Sequence, residues 1–180
     1  MNILTNRKVG MWVSALAVLL QVVTLFIGKP AMSAGTKYLG IGAGILAGVC
    51  SFIYLYKGGT KDAAIWHKLF CYLLMATLLM AFVRNIQAGK GALNSICTFL
   101  MAVIVGYLAF AKDLGKVNSM ILICVVIVLQ ILTVVSVIVS GNGMMVKIPS
   151  SIASSLLVLV LLCSTTAKYV DKRLRKGVEE

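Results

Sequence analysis

The sequence predicts an all-α integral membrane protein with six transmembrane helices and both termini in the cytoplasm, and three observations predict it. The hydrophobic fraction is 61% and the mean hydropathy +1.02. Soluble domains are about 45–50% apolar, so this chain cannot hide its apolar residues in a water-facing globule. Apolar runs of about 20 residues, enough for one helix to cross the hydrocarbon of a bilayer, recur six times between short polar stretches. The charges are 17 Lys and Arg against 5 Asp and Glu, and the basic residues gather in alternate loops. The 180 residues leave no room for a soluble domain beside six crossings, so 1–180 reads as a single transmembrane domain.

The first helix is expected over residues 11–28, with Trp12 as an interfacial anchor and Lys29-Pro30 as its stop. Arg7-Lys8 ahead of an apolar run, with Ala31 to Ala34 behind it, also fits a signal peptide. That alternative is disfavoured because the run is longer than a usual h-region and its central motif recurs downstream. The second helix is expected at 38–56 and carries Gly40, Gly44 and Gly48 on one face, a spacing that lets helix backbones approach closely in lipid. Those glycines mark a packing groove inside the bundle, with a dimer seam as the alternative. Trp66-His67-Lys68 opens the third helix, 66–83, and the turn from Arg84 to Gly91 leads to the fourth, 92–111. The fifth spans 118–140 and ends at Gly141-Asn142-Gly143. Pro149 suits the first turn of the sixth, 149–167, where its missing N–H costs nothing; residues 168–180 form a basic tail.

Counting charges orients the chain. Twelve Lys and Arg fall on the side of the N-terminus, the loops after the second and fourth helices and the tail; five fall on the other side. The positive-inside rule then places both termini in the cytoplasm, in a bacterial-type plasma membrane. A basic excess would point to nucleic acid in a soluble protein, but here it lies in short segments between spans and matches anionic lipid headgroups. The partner it implies is the lipid bilayer, with no nucleic acid.

Three midpoints suggest a repeat. Leu20-Gln21-Val22-Val23-Thr24 is echoed by Leu129-Gln130-Ile131-Leu132-Thr133 and, without the glutamine, by Leu73-Leu74-Met75-Ala76-Thr77. Thr24, Thr77 and Thr133 are 53 and 56 residues apart, and Tyr54 and Tyr107 each follow their threonine by 30. Two helices and two loops per unit give three repeated α-hairpins, all entering from the cytoplasm.

Polar residues lie on stripes. Ser14, Ala17, Gln21, Thr24 and Gly28 share a face of the first helix, Gln130, Thr133 and Ser140 a face of the fifth, and Ser95, Thr98 and Ala102 a face of the fourth. In lipid such faces turn toward protein, so Gln21 and Gln130 are expected to meet near mid-membrane. There they either bond neighbours and fasten the helices or line a polar cavity for a small-molecule ligand. In the second case Thr24, Thr77 and Thr133 add hydroxyls, and Arg84, Asn85, Gln87 and Asn94 stand at its outer mouth. Arg84 either pairs with an anionic ligand or snorkels to outer headgroups.

What is missing also discriminates. All five acids, Asp62, Asp113, Asp171, Glu179 and Glu180, fall in cytoplasmic loops or the tail, so no carboxylate relay for a proton-coupled carrier is available in the spans. The cysteines, Cys50, Cys71, Cys97, Cys124 and Cys163, are scattered one in each expected helix except the first, and His67 is the single histidine, so no metal site or haem ligation assembles. No Gly-x-Ser-x-Gly, His-Glu-x-x-His or P-loop occurs. His67 and Cys71, one turn apart, lack an orienting acid for thiol catalysis and read as interfacial packing. The chain is expected to be no enzyme and to need no cofactor.

In size, topology and charge pattern the chain is similar to the membrane substrate-binding subunits of energy-coupling-factor transporters. The resemblance is one of architecture over the whole chain, and it implies a small solute and a partner membrane subunit or ATPase module. The first helix departs from the pattern, offering Ser14, Ala15 and Ala17 where an Ala-x-x-x-Ala seam would stand. The alternative is a scaffold, assembly or regulatory subunit that binds a partner protein or anionic lipid. Topology is testable: a C-terminal alkaline phosphatase fusion should be inactive and one inserted after Gly89 active. The reverse pattern would invert the orientation.

Overall fold

Apolar side chains with no water to avoid still need every backbone group paired, and the chain answers with helices throughout the residues described. The computed structural model describes residues 7–27, 34–58, 62–87, 92–110, 116–139 and 149–164. They form six helices: α1 (Arg7–Ile27), α2 (Ala34–Tyr56), α3 (Ala63–Gln87), α4 (Ala92–Phe110), α5 (Lys116–Val139) and α6 (Pro149–Ser164). Four are long and apolar enough to cross a membrane, over Arg7–Phe26, Lys37–Tyr56, Ala63–Gln87 and Ala92–Phe110. The apolar stretches of the other two, Met120–Ser136 and Pro149–Ser164, are shorter.

Several helices overrun their expected ends. The first begins at Arg7 rather than residue 11, α2 at Ala34 rather than 38, and α3 runs over Ala63–Gln87 rather than 66–83. Hydropathy marks the part of a helix inside hydrocarbon, while the helix itself continues into the headgroup layer. Contacts at the ends explain two of these extensions. Arg7 Nη1 donates to the Gly58 carbonyl just past α2 at 3.0 Å, satisfying an oxygen beyond the helix end. The Asp62 carbonyl accepts from the Ile65 and Trp66 amides at 3.1 and 3.3 Å, starting α3 ahead of its tryptophan.

Consecutive helices pack from α1 to α5, and the contact between α2 and α3 is the most extensive. Glycines on α2 allow it. An added Cβ at Gly40 would stand 3.3 Å from Met80 Cβ of α3, and one at Gly48 would overlap Val18 Cγ2 of α1. The Gly40–Gly44–Gly48 face is therefore enclosed by α1 and α3. The sixth helix is buried around most of its girth, with Ala153, Leu157, Val158, Leu161 and Leu162 at 0% exposure. A single core joins these side chains to Ala17, Phe70, Leu74, Val105 and Val126, from α1, α3, α4 and α5. Large apolar side chains face outward on the first five helices, among them Phe26, Leu39, Ile96 and Ile131. That is the surface a membrane protein offers to lipid.

Gly48→Ala should destabilise the protein by roughly 1–3 kcal/mol, because the new methyl group meets a β-branched side chain with little rotamer freedom. Thermal unfolding in detergent checks this, with Val18→Ala expected to restore most of the loss.

Candidate functional site

The expected inward stripe of α1 lies inside the bundle: Ser14, Ala17 and Gln21 are wholly buried and Thr24 nearly so. Thr133 and Thr98 are buried on α5 and α4, and Gln130 is half-buried. How these groups satisfy their hydrogen bonds separates them into two kinds.

The hydroxyls use their own helices. Thr24 donates to the Leu20 carbonyl at 2.7 Å, Thr77 to Leu73 at 2.9 Å, and Thr133 to Leu129 at 2.8 Å. Thr98, Ser154 and Ser155 do the same with the carbonyls of Asn94, Ser150 and Ser151, at 2.8, 3.1 and 2.7 Å. A short side chain on a helix reaches the carbonyl one turn back, so each hydroxyl proton is satisfied locally, and only oxygen lone pairs remain to offer.

The carboxamides cannot do this. Gln21 and Gln130 do not bond each other, although their stripes were expected to bring them together. Each reaches the first turn of α6 instead. Ser150 Oγ donates to Gln21 Oε1 at 3.4 Å, and Gln130 Nε2 donates to Ser151 Oγ at 3.4 Å. Both bonds are long and therefore weak. Gln21 Nε2 and Gln130 Oε1 are buried and have no partner at all. One is a donor and the other an acceptor.

A third unpaired atom lies nearby. Arg84 sits in the last turn of α3, and its Nε is buried without a hydrogen bond. Helix side chains lean toward the N-terminus, which carries this guanidinium back over α2: a Cβ at Gly40 would be 3.9 Å from its Nη2. A Cβ at Gly44, one turn along, would be 2.8 Å from Gln21 Nε2 and 3.4 Å from Thr77 Cγ2. Arg84 and Gln21 thus hang over adjacent turns of one glycine face.

The remaining candidates divide. Asn85 Nδ2 donates to Thr98 Oγ1 at 3.4 Å, tying α3 to α4, and Asn94 is buried beside that link. Gln87 is exposed at the end of α3 and is not drawn into the layer. Gly28 and Ser140 lie outside the described residues. Ser150 and Ser151 were missed in sequence, although Ser150-Ser151 and Ser154-Ser155, two pairs one turn apart behind Pro149, were a signal that α6 presents hydroxyls inward.

The other end of the bundle is more fully paired. Ser14 and Ser51 share a 2.8 Å hydrogen bond between α1 and α2. The His67 ring meets Tyr54 edge-on at 5.1 Å, and Cys71 Sγ is 4.0 Å from both ring nitrogens. Asp62, the one acid among the described residues, pairs with Lys57 at 3.5 Å on the surface. No three His, Cys, Asp or Glu among the described residues gather at metal-binding distance.

Compared with protein families, curated proteins and solved structures, the chain matches none.

Thr98→Val removes the acceptor for Asn85 and should lower stability by about 0.6 kcal/mol, the average for a side-chain hydrogen bond between membrane helices. Chemical or thermal unfolding of the purified protein measures it, and Asn85→Leu on top of Thr98→Val should add little.

Proposed function

We propose that this protein is a six-span plasma-membrane protein with both termini cytoplasmic that binds a small polar solute within its helices, as a transport or substrate-binding subunit. It performs no chemistry on that solute. The observation that carries the proposal is Gln21: a wholly buried carboxamide whose Nε2 has no partner. An unmet buried polar group costs about 1–3 kcal/mol in proteins, and a glutamine kept only to fasten helices would have both ends paired. Gln130, with its free Oε1 on the other side of the same helix turn, gives a ligand an acceptor where Gln21 gives a donor.

With the termini inside, α1 and α3 end and α6 begins at the outer face. Gln21 is less than two turns from the end of α1, so in this orientation the layer lies in the outer half of the bilayer. No acidic residue lies in any described helix, which leaves energy coupling to a partner membrane subunit or ATPase module.

The glutamines separate this function from a scaffold role. Gln21→Leu should leave the unfolding temperature unchanged or raise it, since it removes an orphaned donor and only a 3.4 Å bond. Native mass spectrometry should show a low-mass species released from the wild-type protein and absent from a folded Gln21→Leu/Gln130→Leu variant. A marked loss of stability, with no released molecule in either protein, would make the glutamines fasteners and the protein a scaffold.

A further inference from the structure

We infer that the group seated between Arg84 and Gln21 is an oxyanion, a carboxylate first of all, and that its bearer also carries a hydrogen-bond donor for Gln130. The inference rests on the solute-binding function proposed above and gives the solute a charge.

Three independent features favour negative charge at one place. Arg84 is a permanent cation whose Nε is buried and unpaired, and no carboxylate lies in any described helix to neutralise it. The dipole of α3 offsets part of this charge at the helix end, but it supplies no acceptor for Nε. Gln21 Nε2 is a second unpaired donor on a side chain with 0% exposure, one turn along the same glycine face. The third feature is the start of α6. Its first-turn amides, those of Ser150 and Ser151, have no acceptor within the helix, and the positive end of its dipole lies beside Gln21, which Ser150 Oγ touches at 3.4 Å.

The glycines complete the geometry. A side chain at Gly44 would collide with Gln21 Nε2, at 2.8 Å, and one at Gly40 would approach the guanidinium. Gly44 therefore keeps the donor in place while adding no group to pair with it. Gln130 Oε1 is the odd member, an unpaired acceptor in a layer of donors, and it assigns the ligand an O–H or N–H away from its charged end. A hydroxy acid or an amino acid has this pattern in a free solute; a phosphatidylglycerol headgroup, with a phosphodiester and glycerol hydroxyls, has it on a lipid.

Unfolding of the full-length protein in a non-ionic maltoside, followed by the fluorescence of Trp12 and Trp66, tests the inference with lactate, its neutral isostere lactamide, and micelles containing phosphatidylglycerol. At fixed ionic strength lactate should raise the unfolding temperature by roughly 5 °C or more at 100-fold its half-saturating concentration. Lactamide should not, and Arg84→Gln should abolish the shift. Gln21→Glu supplies the missing carboxylate from within. It should unfold at or above the wild-type temperature and no longer respond to lactate, which keeps the test open even if Arg84→Gln does not fold. Equal shifts with lactamide and lactate would overturn the oxyanion while leaving a solute site. A shift with phosphatidylglycerol alone would keep the oxyanion and overturn the solute. No shift with any probe, or a Gln21→Glu protein that unfolds well below wild type, would overturn the inference.

Discussion

A side chain inside hydrocarbon has no water to fall back on, and a carboxamide, with two donors and two acceptor lone pairs, has more to satisfy than the carbonyl one turn back can meet. The arrangement of this bundle follows from that constraint. Thr24, Thr77, Thr98, Thr133, Ser154 and Ser155 close hydrogen bonds to the carbonyl one turn back, a device available anywhere along a helix. Gln21 and Gln130 must find partners on another element, and the partners they find are the first-turn serines of α6. Through these long, weak bonds helix α6 meets both α1 and α5, while its apolar side chains, packed in the core with residues of the other helices, supply what holds it there.

Close packing on α2 sets the rest of the site. The glycine face admits α1 on one side and α3 on the other, bringing Gln21 and Arg84 over successive turns of the same backbone. In a soluble protein, water would enter such a layer and finish the hydrogen bonds. Here each of the three atoms left over among the described residues is enclosed, Arg84 Nε at the end of α3 and the two carboxamides beside the start of α6. The opposite end, with Ser14 bonded to Ser51 and His67 set against Tyr54, carries pairs and aromatic contacts instead. Polar groups are thus finished at one end and unfinished at the other, and the unfinished end is where we propose that solute binds.

Much of this was legible in the chain itself. The stripe of Ser14, Ala17, Gln21 and Thr24 identified the inner face of α1, because three-four spacing fixes a helix face whatever the neighbours are. The glycine spacing on α2 identified a close approach for the same reason. Helix ends were less legible, since hydropathy reports the lipid boundary, whereas α1 and α3 begin beyond it, where the Arg7 guanidinium reaches the Gly58 carbonyl and the Asp62 carbonyl accepts from Ile65 and Trp66. The pairing of Gln21 with Gln130 did not form, because a face says which way a residue points and nothing of which helix stands opposite. The burial of α6 was hidden as well: an apolar helix reads alike whether lipid or protein surrounds it. The repeat drew on Thr24, Thr77 and Thr133, whose shared feature turns out to be a bond to their own backbone, which any buried threonine on a helix can make.

The central claim is that Gln21 Nε2 and Gln130 Oε1 are completed by something other than the protein. Density for the protein in a lipid nanodisc, at a resolution that orients side-chain amides, tests it most directly. The account predicts a non-protein feature in contact with Gln21 Nε2 and Gln130 Oε1 and reaching the Arg84 guanidinium. Continuous protein contact there, with the two carboxamides bonded to each other and Arg84 turned out to the headgroups, would contradict it.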